Sequence, residues 1–77
     1  MKGMSNTRRI LRFGSRGPDV VQLQHILASL GYYDGPIDGI FGPRTFRAVQ
    51  ALQRENGLVA DGIVGPRTYA VIDELVP

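Results

Sequence analysis

Cysteine is absent from this sequence of 77 residues. No disulfide can staple so short a chain, and thiolate zinc sites and cysteine nucleophiles are excluded. That absence does not identify a compartment. Histidine occurs once, at His25, so metal or general-base roles that need a histidine pair have no residues to draw on. No apolar run approaches the roughly 20 residues of a membrane helix. Met1 to Arg9 is positively charged but no apolar stretch follows it, so the sequence shows no secretory signal.

A chain of this length makes one domain with a small core and modest stability. Its formal charge of +2 hides an asymmetry. Lys2, Arg8, Arg9, Arg12 and Arg16 face no acid over residues 1–16, whereas residues 17–77 hold four arginines against seven acids. The leading arm is basic and the body mildly acidic, so the folded part lacks a basic face for nucleic acid.

A repeat organises the rest. Asp38-Gly39-Ile40-Phe41-Gly42-Pro43-Arg44-Thr45 recurs 23 residues later as Asp61-Gly62-Ile63-Val64-Gly65-Pro66-Arg67-Thr68, identical at seven of eight positions. Gly17-Pro18 is a fainter third copy of the Gly-Pro step. Proline suits the first helical position, where its missing N–H would have no intrahelical partner. Helices are therefore predicted over 18–30, 43–56 and 66–75, the first two stopped by Gly31 and Gly57. Val20, Leu23, Leu27 and Leu30 form one apolar stripe, widened by Ile26. Thr45, Ala48, Val49 and Leu52 form a second, with Arg47, Gln50 and Arg54 facing away, and helix 3 offers Val71, Ile72 and Leu75. The predicted fold is all-α: a compact three-helix bundle with two similar loop-to-helix repeats, spanning 10–77 behind a flexible basic arm at 1–9. Ile10, Leu11 and Phe13 are placed to pack onto it.

These residues carry a resemblance. Leu11-Arg12 through Gly17, Leu23-Gln24 with Leu27, and Leu30-Gly31-Tyr32-Tyr33 resemble the three-helix peptidoglycan-binding domain of bacterial and phage cell-wall hydrolases. So do Ile37-Asp38-Gly39, Phe41-Gly42, Thr45, Ala48-Val49, Gln53, Gly57-Leu58 and Asp61-Gly62 to Thr68. One departure is Leu52, where the family often has phenylalanine. The resemblance implies noncovalent binding of glycan or stem peptide and no reaction. It implies peptidoglycan as partner, a fused or associated hydrolase, and an extracellular or cell-wall location. No cofactor, nucleic acid or membrane partner is expected, and the module is expected to be a monomer.

Seven residues are candidates for ligand binding: Tyr32, Tyr33, Asp38, Phe41, Arg44, Asp61 and Arg67. Each has a plainer reading. Asp38 and Asp61 sit where a carboxylate accepts loop or helix N–H groups, or the hydroxyl of Thr45 or Thr68. Phe41 and one tyrosine could close the end of the core, while an exposed tyrosine could stack on a sugar. Arg44 and Arg67 could take an anionic group beside unpaired helix N–H groups, or pair loosely with Asp38 and Asp61. Gly39, Gly42, Gly62 and Gly65 read as conformational, through positive φ or close approach. Gln24 and Gln53 follow core leucines and are expected to bond to backbone at loop junctions. A calcium-loop reading fails: with Asp38 at ligand position 5, Pro36 falls at position 3 and Thr45 at position 12. A small helical nucleic-acid binder or a protein-docking module are the alternative functions; catalysis is not expected.

Overall fold

The computed structural model describes residues 8–76. Three helices appear in the predicted order: α1 (Pro18–Ser29), α2 (Pro43–Glu55) and α3 (Pro66–Leu75). Each has proline in its first turn and a glycine as N-cap. The first two end one residue earlier than predicted, because Leu30 and Asn56 serve as C-caps. Both ends close in the same way. The N–H of Tyr32 reaches back to the Leu27 carbonyl (2.8 Å) and that of Leu58 to the Gln53 carbonyl (2.9 Å). Those bonds straddle Gly31 and Gly57, whose φ values are 88° and 77°.

The stripes meet as the spacing implied. Val20, Leu23, Leu27, Ala48, Val49, Leu52 and Ile72 are buried, joined by Leu11, Tyr33, Phe41 and Val64 from the connecting segments. Gln50 differs from the expected outward position: it is half-buried and its carboxamide donates to the Ala60 carbonyl. Of the three leading apolar residues only Leu11 enters the core; Ile10 and Phe13 remain exposed. Phe13 instead meets Phe46 edge to face, with centroids 6.2 Å apart.

Among the described residues, extended pairing is limited to two isolated antiparallel bridges, Leu11 with Val64 and Arg16 with Ile40. Leu11 and Val64 exchange both backbone bonds, and Gly14 and Ser15 bond to Phe41. Residues 11–16 thus lie across both repeat loops and brace one against the other. Arg8 and Arg9, expected in the arm, are held onto the bundle. Arg8 bonds Asp73 through two nitrogens (2.6 and 3.1 Å) and stacks on Tyr69, and Arg9 does likewise with Asp19 (2.8 and 2.9 Å). The remainder of the arm, 1–7, lies outside the described residues.

The glycine expectation divides. Gly39 and Gly62 both have φ +74°, and a Cβ on Gly62 would run into the Phe46 ring. Gly42 and Gly65 contradict the conformational reading. Their φ is −110°, open to any residue, and an added Cβ would meet nothing within 4 Å. Gly62→Ala combines left-handed strain with overpacking and should cost about 2 kcal/mol or more. Thermal denaturation followed by circular dichroism should show Tm falling by roughly 10 °C; an unchanged Tm would contradict this packing.

Candidate functional site

Each repeat loop is fixed by a fully buried glutamine on the preceding helix. The Gln24 carboxamide nitrogen lies 3.1 Å from Asp38 Oδ1, the Ile40 carbonyl and Thr45 Oγ1, and its oxygen accepts the Gly39 N–H at 2.9 Å. Gln53 repeats the pattern with Asp61 Oδ1 (3.1 Å), the Ile63 carbonyl (3.0 Å), Thr68 Oγ1 (3.0 Å) and the Gly62 N–H (2.9 Å). The amide orientation is unambiguous, since only the nitrogen can face three acceptors. In both loops the aspartate also accepts the N–H two residues on, at 3.0 Å. The carboxylates therefore take up loop N–H groups, as the plainer reading held, but the threonine hydroxyls turn to the glutamines instead.

The loops differ in length. Gly31-Tyr32-Tyr33 matches Gly57-Leu58-Val59 through the shared helix endings, but four residues then separate Tyr33 from Asp38 where one separates Val59 from Asp61. This excursion folds Tyr33 inward. Its hydroxyl donates to the Pro36 carbonyl at 2.6 Å and lies 3.3 Å from the Gln24 nitrogen. Gly35 permits the arrangement, because a Cβ there would crowd both Tyr33 and Arg44.

Two separate hollows result, not one groove beside both loops. The first, about 380 Å³, is bordered by Tyr33, Pro36, Asp38, Ile40, Gly42 and Pro43, with Arg44 and Thr45 at the helix start. A neighbouring depression of about 300 Å³ runs past Arg44 to Tyr32, Asp34 and Arg47. The second hollow, about 500 Å³, shares no lining residue with the first; Asp61, Ile63, Gly65, Pro66, Arg67 and Thr68 repeat the first loop's positions. A smaller hollow of about 230 Å³ lies apart from these, between α1 and α3 and beside the Arg8–Asp73 and Arg9–Asp19 pairs.

The seven candidates are distributed unequally. Tyr32, Tyr33, Asp38 and Arg44 gather around the first hollow and its neighbour, and Asp61 and Arg67 border the second. Tyr32 is half-buried with its hydroxyl on Glu55 at 3.1 Å. Phe41 must be withdrawn as a ligand contact: it has 0% exposure and fills the core. Tyr33, at 7%, is too buried to offer an open face for stacking. Arg44 and Arg67 are exposed, and the pairing with Asp38 and Asp61 considered above does not form. Among the described residues neither guanidinium has a hydrogen-bonding or ion-pairing partner. The exposed Ile40 and half-buried Ile63 were not singled out from sequence, although the Asp-Gly-Ile repeat contained them.

Replacing Gln24 by leucine would strand the Gly39 N–H and the acceptors around it. A loss of about 2–3 kcal/mol in urea unfolding is expected, and Gln53→Leu should cost a similar amount; a neutral pair would refute the hub. The Ile40 N–H, and next the Gln24 carboxamide, hold the Asp38 carboxyl below its ordinary range. A depressed folded pKa means that this contribution is present above the unfolded value of about 3.9 and is lost as pH falls through the folded one. Carboxyl-carbon NMR should therefore place the Asp38 midpoint below about 3.9, and a midpoint at or above it would contradict the loop geometry.

Comparison with known proteins agrees with this architecture. Residues 16–72 match the family described as "Putative peptidoglycan binding domain". The spore cortex-lytic enzyme of Oceanobacillus iheyensis is 42% identical over 53 residues, which are 69% of this chain and 19% of that enzyme. The crystal structure of the SleB N-terminal domain superposes with a TM-score of 0.84 at 36% identity, covering 91% of this chain and 93% of that one. The endolysin of Burkholderia phage AP3 gives 0.81 at 45% identity, covering 86% of this chain and 25% of that structure. The chain thus spans about a fifth of the curated lytic enzymes it matches. With its helices, doubled loops and most of its length accounted for, the chain belongs to the peptidoglycan-binding domain family.

Proposed function

We propose that the chain binds peptidoglycan noncovalently and holds an attached or associated cell-wall hydrolase against its substrate, outside the cell or in the wall. Family membership supports the ligand class. The observation that carries the site is the unpartnered Arg44 guanidinium between the first hollow and the depression beside Tyr32. A stem-peptide carboxylate is the anion that peptidoglycan offers, and a fork of N–H donors suits it. Ile40 and Pro43, with the little of Tyr33 that borders the hollow, supply apolar surface for the C–H faces of a sugar or an alanine methyl. The module acts as a monomer and performs no reaction. Nucleic acid is disfavoured because Arg8 and Arg9, two of the five cations in residues 1–16, are already paired with Asp73 and Asp19.

The protein should co-sediment with purified bacterial sacculi stripped of teichoic acid, and should not sediment alone. Arg44→Ala removes one charge-assisted contact, worth about 1.5 kcal/mol, so affinity for a soluble muropeptide should fall about tenfold. Absence of sedimentation would remove the proposal, and an unaltered affinity in Arg44→Ala would remove the site.

A further inference from the structure

The second hollow is built from the same parts as the first but holds only two residues that sequence reading selected. Asp61, Ile63, Gly65, Pro66, Arg67 and Thr68 stand where Asp38, Ile40, Gly42, Pro43, Arg44 and Thr45 stand. Backbone angles agree to within a degree at both paired glycines: +74° at Gly39 and Gly62, and −110° with ψ near −163° at Gly42 and Gly65. Val59, 80% exposed, occupies the position at which the first loop has the buried Tyr33, so the second hollow is the roomier.

Gly42 and Gly65 extend the likeness of the two hollows. Neither needs positive φ, and neither is crowded. As N-caps, both would give a more stable helix as serine, asparagine or aspartate. Each borders its hollow, and the space beside it that a side chain would fill is open. Glycine is an adequate N-cap at both positions, and its missing side chain leaves the same part of each hollow clear.

Resting on the peptidoglycan reading above, we infer that the module is bivalent: the Asp61–Thr68 hollow is a second subsite for the same repeating unit that the Asp38–Thr45 hollow takes. The brace fixes their relation. Leu11 pairs with the second loop and Ser15 with the first, and four residues of chain span no more than about 14 Å. Two subsites fixed on one braced module convert the second contact with a polymer into an intramolecular event.

The test is a titration of the isotopically labelled protein with a monomeric muropeptide, disaccharide plus stem peptide. Two groups of amide shifts are expected, one over 38–45 and one over 61–68, with two ligands bound per chain. Gly65→Ser should keep or raise Tm, lose the second group and retain the first. Arg67→Ala provides the same readout should the serine variant fold poorly. A fragment with two repeating units should bind the unaltered protein at least about tenfold more tightly than the monomer, an advantage that Gly65→Ser abolishes. One ligand per chain, with shifts confined to 38–45, overturns the inference and leaves the peptidoglycan reading standing. Absence of shifts in both loops, together with absence of sacculus binding, overturns both.

Discussion

A buried carboxamide at the end of a helix face is the contact on which this small fold depends. Gln24 and Gln53 have essentially no solvent exposure, and each gathers a loop N–H, a loop carbonyl, a carboxylate and a hydroxyl. In water the same groups would be solvated, so the net stabilisation per bond is small; leaving one unmet in the interior is what costs. The network therefore specifies loop shape more than it adds stability. Among the described residues no buried side-chain nitrogen or oxygen lacks a partner, as such networks require if they are to order a core and not disrupt it.

The loops in turn position everything that a ligand could touch. With the aspartate and threonine directed to the glutamine, the isoleucine, proline and arginine of each repeat are left to form the wall of a hollow. The aromatic residues take the opposite role. Phe41 and Tyr33 support the first loop from within, and Phe46 covers Gly62 behind the second. Under the proposed function, guanidinium and aliphatic groups would meet the ligand from a rigid aromatic and amide foundation.

Much of this was legible in the sequence because its cues are local. Gly-Pro steps mark helix starts, a 3.6-residue apolar period marks faces, and Gly31 and Gly57 mark ends. Seven identities in eight residues marked the loops as built alike. Phe41 as a ligand contact was wrong, and its alternative place in the core was right, because burial depends on tertiary packing; Gly35 decides the like question for Tyr33 by letting that ring turn inward. Gly42 and Gly65 were misread because a glycine in sequence does not reveal its φ. The bond from Gln24, fourteen residues upstream, to the Asp38 carboxylate joins parts of the chain too far apart for local spacing to reveal.

The hub's chemistry makes it sensitive to a change of a single atom. Were Gln24 hydrolysed to glutamate, a donor nitrogen would become an oxygen facing the Asp38 carboxylate, the Ile40 carbonyl and the Thr45 hydroxyl at hydrogen-bond range. Two carboxyls that close hold both charges only at high cost, so one would retain a proton well above its usual range. Deamidation in an ageing sample would then convert a lock that weakens when Asp38 is protonated into one that needs a proton between its two carboxyls, without altering the size or shape of any side chain.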